Sequence, residues 1–201
     1  MGEMLTIIAV TAVAFIGTNL DNLILLVTLH NRYEKRVAMV TAGYFAAMLL
    51  IGSISFVLGE VGELIPIAYL GLLGVIPIII GIIAIAQLLE KKPEAELASI
   101  AIANQGHTIF VSVLMTQLSN GTDTIITFSA LLADSSDASD YLIAPTFLAM
   151  VCVFAWVAFY SLEHRAFSNL LKRYGKYLAP FILILVGVYI LANTVTDLMP
   201  A

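Results

Sequence analysis

The first apolar stretch of the chain contains Phe15-Ile16-Gly17-Thr18-Asn19-Leu20-Asp21-Asn22-Leu23, so a carboxylate lies there beside two amides and a hydroxyl. A later apolar stretch is interrupted in the same way by Asn120-Gly121-Thr122-Asp123. A carboxylate near the centre of a bilayer costs roughly 2.5–3.5 kcal/mol on insertion scales. Crossing a membrane does not require that cost twice, each time beside an Asn. The two motifs therefore predict a site for a cation or a proton that both halves of the chain share.

The composition is that of an integral membrane protein. The 201 residues are 61% hydrophobic and 11% charged, with a mean hydropathy of +1.01, whereas soluble domains are about 25% charged. The formal net charge is −5, and no basic stripe is interleaved with aromatic residues, so nucleic acid is not an expected partner. There is no nucleotide-binding loop, zinc-protease motif or Ser/His/Asp set, which argues against an enzyme and against ATP-driven transport. We expect no cofactor.

Six apolar segments are each long enough for a helix to cross a hydrocarbon core of ~30 Å. Their approximate limits are 4–29, 37–58, 65–89, 107–132, 142–162 and 177–198. The sequence thus predicts an all-α integral membrane protein with six transmembrane helices and the lipid bilayer as its surroundings.

The loop charges orient these helices. All nine Lys and Arg residues fall in three alternate connections, and the opposite set of connections is acidic and has no basic residue. Basic loops stay on the cytoplasmic side of a membrane. We therefore expect a multi-pass protein of the cytoplasmic (inner) membrane with both termini outside.

With three helices in each half, the first half would begin outside and the second half inside. Two similar halves would therefore be inverted relative to each other. The predicted organisation is a first three-helix repeat over 1–90, a cytoplasmic linker over 91–106 and a second three-helix repeat over 107–201. Inverted repeats with a site near the midplane are a common transporter plan. Weak internal similarity supports the pairing of the third and sixth helices: Tyr69-Leu70 with Tyr177-Leu178, and Pro77 and Gly81 with Pro180 and Gly187.

Asp21 lies slightly to the cytoplasmic side of the centre of its helix, and Asp123 slightly to the outer side of its own. In oppositely oriented helices the two carboxylates could meet near the midplane, where their charges would balance one divalent cation. Neutral oxygens would complete the predicted metal site, from Asn19, Asn120, Asn22 and Thr18. Asn19 and Asp21 are about 200° apart on a regular helix, so both face one ion only if the first helix is broken.

The fourth helix breaks more easily than the first, because Gly121 favours local unwinding. Gln117 lies on the same face as Asn120 and extends its polar patch. His30 and His107 lie at cytoplasmic helix ends, where histidines are usually interfacial. Whether His30, His107 or Met115 takes part in the site is open.

The motifs resemble those of the cadmium resistance transporter family, within the lysine exporter superfamily. The resemblance rests on 15–23, on Tyr69-Leu70-Gly71-Leu72-Leu73-Gly74-Val75-Ile76-Pro77-Ile78 and on 120–123. The family's first motif usually ends in two Asp residues, and in this chain Asn22 holds the last position. In the second motif, Thr122 and Thr124 differ from the residues that the family usually has there. The resemblance implies efflux of a divalent metal, such as Cd, Zn, Mn, Ca or Mg, driven by an ion gradient. Oxygen ligands suit the harder of these cations.

Other functions are compatible with the same residues. Two adjacent carboxylates without a cation cannot both stay ionised cheaply, so the pair could also relay protons. The chain could instead export an amino acid or another small organic cation, or be a non-transporting membrane scaffold subunit, although a scaffold needs no matched intramembrane Asp. Monomer and homodimer are both open.

Overall fold

The computed structural model describes residues 2–62, 74–89, 106–135 and 137–197. As predicted, these residues form helices, and no strand is found among them. The helices are α1 (Gly2–Arg32), α2 (Val37–Gly62), α3 (Val75–Leu89), α4 (Gly106–Ser119), α5 (Thr122–Ala133), α6 (Asp137–Glu163) and α7 (Arg165–Asp197), with a 3₁₀ turn at Glu34–Arg36 between α1 and α2.

Three helical stretches have the length and apolar composition to cross a membrane: Met4–Arg32, Glu34–Gly62 and Tyr141–Leu162. Shorter apolar helices occupy the other predicted segments, at Val75–Ala86, Thr108–Ser119, Thr122–Ala133 and Tyr177–Ala192. These helices support a membrane protein, and six crossings stay a prediction. The predicted linker, 91–106, lies outside the described residues except for Gly106, and so do Tyr69 and Leu70.

The predicted fourth span is divided between α4 and α5. The amide of Asn120 still donates to the Thr116 carbonyl at 3.2 Å, but the Gly121 amide reaches only the Leu118 carbonyl, at 3.2 Å, which ends α4. Helical bonding resumes with the Ile125 amide on the Gly121 carbonyl at 2.9 Å. A side chain at Gly121 would clash with Ile51 of α2, so the break also lets α2 approach closely.

The helices pack in pairs around a shared apolar core. α1 lies along α6 and α7, α2 along α4 and α5, and α3 along α7. The buried ring of Phe15 lies edge-on at 5.1 Å from Phe147 and 4.9 Å from Phe154 of α6. Phe128 of α5 lies 5.0 Å from Phe147. This aromatic cluster holds α1, α5 and α6 together within a turn or two of the polar motif of α1.

α3 and α7 cross in an antiparallel direction with reciprocal contacts. A Cβ at Gly74 would lie 2.7 Å from the Gly187 carbonyl oxygen, and a Cβ at Gly81 would lie 2.7 Å from the Pro180 carbonyl oxygen. Gly74 and Gly81 have the same spacing along the chain as Pro180 and Gly187. If the two helices are exchanged, the contact of Gly74 with Gly187 therefore takes the place of the contact of Gly81 with Pro180, and the reverse.

The flanking side chains repeat this exchange. A Cβ at Gly187 would lie 2.6 Å from Cγ1 of Ile78, and a Cβ at Gly81 would lie 2.7 Å from Cγ1 of Ile184. Within this crossing, Gly81 is thus equivalent to Gly187, and Gly74 is equivalent to Pro180. The inverted repeat, and with it the pairing of Pro77 with Pro180 that the sequence suggests, stays a prediction.

Candidate cation site

The polar residues of α1 form an internal hydrogen-bonded chain. Thr18, Asn19 and Asn22 are fully buried. The Asn19 amide nitrogen donates to the Phe15 carbonyl at 3.1 Å and to Thr18 Oγ1 at 2.9 Å, and Thr18 Oγ1 in turn donates to the Ala14 carbonyl at 3.0 Å. The Asn22 amide nitrogen donates to Asn19 Oδ1 at 3.1 Å. These three side chains therefore use most of their hydrogen-bonding groups within α1 itself.

Asp21 lies on another side of the same helix. Its side chain is exposed, and its Oδ1 accepts a hydrogen bond from the Asn22 backbone amide at 2.8 Å. Because α1 is continuous from Gly2 to Arg32, Asn19 and Asp21 cannot turn towards the same ion. The structure separates the carboxylate of the motif from its buried amides.

Asp123 lies in the first turn of α5, directly after the break. Its side chain is partly buried, and its Oδ1 accepts from the Thr124 backbone amide at 2.9 Å. The free amides at the start of a helix give that end a partial positive charge, which stabilises a carboxylate there. The break between α4 and α5 thus places the Asp123 carboxyl group beside the free backbone amides at the start of α5.

Asp21 and Asp123 belong to different helices, and the two carboxylates lie within range of each other's charge. Asn120 lies in the break, three positions before Asp123.

Two residues that the sequence gives little reason to select join the halves at this point. Gln117 is fully buried, and its amide nitrogen donates to the Asn22 backbone carbonyl at 3.2 Å. Thr124 is also fully buried, and its hydroxyl donates to the Thr18 carbonyl at 3.3 Å. In the sequence Gln117 is only an extension of the Asn120 patch, and Thr124 is only a departure from the family motif. Both side chains in fact fix α4 and α5 against the polar turn of α1.

The chemistry of the donor set limits what it can hold. Within the described ranges no cluster of three or more His, Cys, Asp or Glu side chains could hold a metal ion. A cation at Asp21 and Asp123 would therefore have two carboxylates, with neutral oxygens for the rest of its shell. Met115 is 56% exposed on α4, and the side chain of His107 lies outside the described part of the chain.

His30, which the sequence places at the end of α1, lies in the interior of the protein. It is fully buried, with Nε2 3.0 Å from Thr41 Oγ1 of α2 and its ring 5.1 Å from that of Phe159 of α6. It therefore packs between three helices, about two turns beyond the polar motif of α1.

A family model described as cadmium resistance transporter matches residues 15–199, which include both acidic motifs. The chain belongs to the cadmium resistance transporter family. The family is one of transporters rather than enzymes, in agreement with the absence of a catalytic motif from the sequence. No curated protein and no solved structure matches this family member.

Proposed function

We propose that this cadmium resistance transporter family member exports a divalent metal cation across the cytoplasmic membrane by secondary active transport. The observation that carries the proposal is the approach of Asp21 and Asp123, two carboxylates from different helices, at a break between α4 and α5. The relation to the lysine exporter superfamily is part of the same proposal and rests on the sequence resemblance.

Charge balance favours a divalent ion at this pair. Two adjacent carboxylates repel each other in a medium of low dielectric constant, and a divalent cation between them cancels both charges. Asn120, which lies in the break, would add a neutral oxygen. The buried network of Thr18, Asn19 and Asn22 would hold the shape of α1 behind the carboxylates rather than supply direct ligands. Cadmium, zinc, manganese, calcium and magnesium all fall within the proposed substrate class.

Proton exchange would follow from the same pair. Without a cation, the two carboxylates would share a proton, and metal binding would release it. Transport of a metal outwards would then be coupled to movement of protons inwards.

The proposal includes two inverted three-helix repeats. It is supported by the reciprocal contacts of α3 and α7, in which Gly81 and Gly187 hold equivalent positions. It is supported too by the packing of α2 along α4 and α5 and of α1 along α6, since an exchange of the two halves interconverts these pairs. Such repeats alternate access to a fixed site by moving one half against the other.

The test is metal flux into liposomes that contain the purified protein, with a pH-sensitive dye to follow protons. Asp21→Asn and Asp123→Asn should each reduce metal flux to the level of empty liposomes, since one charge of the pair is lost while a side-chain oxygen still accepts the neighbouring amide. Glu60→Gln, which removes an exposed carboxylate at the end of α2, is the matched control and should leave flux unchanged. Full flux in both Asp variants would refute the site. Flux of amino acids but not of metals would identify an organic-solute exporter.

A further inference from the structure

A second set of oxygens lies behind the carboxylates, on the buried side of α1. Asn22 Oδ1 and Gln117 Oε1 are both buried, and neither accepts a hydrogen bond from any described residue. Both side chains are fully inaccessible. Buried polar atoms are nearly always paired, so two unpaired acceptors on residues that contact each other need an explanation.

The hydrogen bonds fix which way each amide faces. The Gln117 nitrogen is committed to the Asn22 backbone carbonyl, and the Asn22 nitrogen is committed to Asn19 Oδ1. Asn19 in turn uses its nitrogen on Phe15 and Thr18. A flip of either terminal amide would set two carbonyl oxygens against each other. The network therefore leaves the oxygens of Asn22 and Gln117 as acceptors without donors.

The surroundings of these oxygens favour a positive charge. Gln117 lies in the last turn of α4, and the unpaired carbonyls at the end of a helix give it a partial negative charge. Ends of this kind in broken membrane helices, together with neutral oxygens, are suited to Na⁺. A water molecule that donates to both oxygens is the alternative occupant, and the comparison of cations below separates it from a bound cation.

We propose that Asn22 and Gln117 form a binding site for an alkali-metal cation, Na⁺ or K⁺, between α1 and the last turn of α4. Its ligands are neutral, whereas divalent cations in proteins are held mainly by carboxylates. This site is distinct from the Asp21–Asp123 pair, and its existence does not depend on metal export.

The experiment measures the thermal stability of the purified full chain in detergent, with a chelator of divalent cations present. Chlorides of sodium, potassium and choline are compared at equal ionic strength. A cation that binds only the folded state raises the melting temperature in a saturable way. We expect Na⁺ or K⁺ to raise Tm above the choline value by roughly 2–4 °C.

Three variants locate the effect. Gln117→Met keeps the length of the side chain but removes its oxygen, and it should abolish the rise in Tm. Ser119→Ala is the matched control, because its hydroxyl in the same turn is exposed and bonds only the Met115 carbonyl of its own helix. Asp123→Asn should keep the alkali-cation effect even where it abolishes metal flux. Loss of the effect in Asp123→Asn would place the cation at the acidic pair and overturn the proposal.

Two further outcomes are decisive. An equal Tm in sodium, potassium and choline chloride for the wild-type chain would mean that the site at Asn22 and Gln117 binds neither alkali cation. This result needs no variant. Gln117→Glu keeps the volume of the side chain and adds a negative charge, so it should lower the cation concentration that gives half the stabilisation. No change in that concentration would contradict the site even if Gln117→Met fails to fold.

Discussion

Gly121 is the residue at which the helix break and the packing of α2 coincide. Its backbone angles, φ −85° and ψ 4°, are open to alanine, so the restriction is the space that Ile51 occupies. We predict that Gly121→Ala lowers the free energy of unfolding by about 1–3 kcal/mol, because an added methyl in a filled site forces neighbours to move. The apparent Tm of the purified protein in detergent measures this loss.

The matched control for this prediction is Gly2→Ala, since no heavy atom lies within 4 Å of a Cβ at Gly2. Shortening Ile51 to valine in the Gly121→Ala background should recover part of the lost stability, because the two residues contact each other and are energetically coupled. A Gly121→Ala chain as stable as wild type would mean that Ile51 does not restrict this position.

The sequence identifies the polar side chains of the candidate site, but it does not identify their hydrogen-bond partners. Thr18, Asn19, Asp21 and Asn22 stand out in the sequence because polar groups are rare in apolar helices. Which of them bond each other depends on side-chain rotamers, and also on Gln117, which is 95 residues from Asn22 in the chain. The burial of His30 likewise depends on where α2 and α6 lie, which local sequence does not specify.

At the scale of helices, the sequence located the break but not the contacts. Gly121, next to Asn120, has the local properties that end a helix, and α1 has no Gly or Pro from Thr18 to Asp21 and stays continuous. The register of α3 on α7 is a property of two surfaces. Aligning the prolines in sequence order therefore pairs Pro180 with Pro77, whereas in the contacts the position equivalent to Pro180 is Gly74.

The reciprocal crossing of α3 and α7 predicts equal sensitivity at equivalent positions. Gly81→Ala and Gly187→Ala each insert a methyl within 2.7 Å of a carbonyl oxygen of the opposite helix. Each variant should therefore be destabilised by about 1–3 kcal/mol, and by similar amounts. Apparent Tm values in detergent, with Gly2→Ala as the reference, test this prediction. A large loss in one variant and none in the other would argue against equivalent positions.

For the whole molecule, the helix directions fit the predicted order of crossings, and the loop charges predict the orientation. α2 runs parallel to α4 and α5, since Gly43 lies against Val113 and Gly59 against Leu132. α3 and α7 are antiparallel, which is the direction expected of a third and a sixth crossing. Packing alone cannot say which end faces the cytoplasm, because turning the whole molecule over preserves every contact. The basic loops predict that orientation through the positive-inside rule.

Orientation is therefore predicted from charge and tested by labelling from one side. In a Cys152→Ala background, which removes the single native cysteine, Lys35→Cys and Glu60→Cys place exposed thiols at opposite ends of α2. A membrane-impermeant maleimide added to intact cells should label Glu60→Cys, and it should label Lys35→Cys only after the cells are permeabilised. The Cys152→Ala parent controls for background labelling. The reverse pattern would place the turn at Glu34–Arg36 outside and would contradict the predicted orientation.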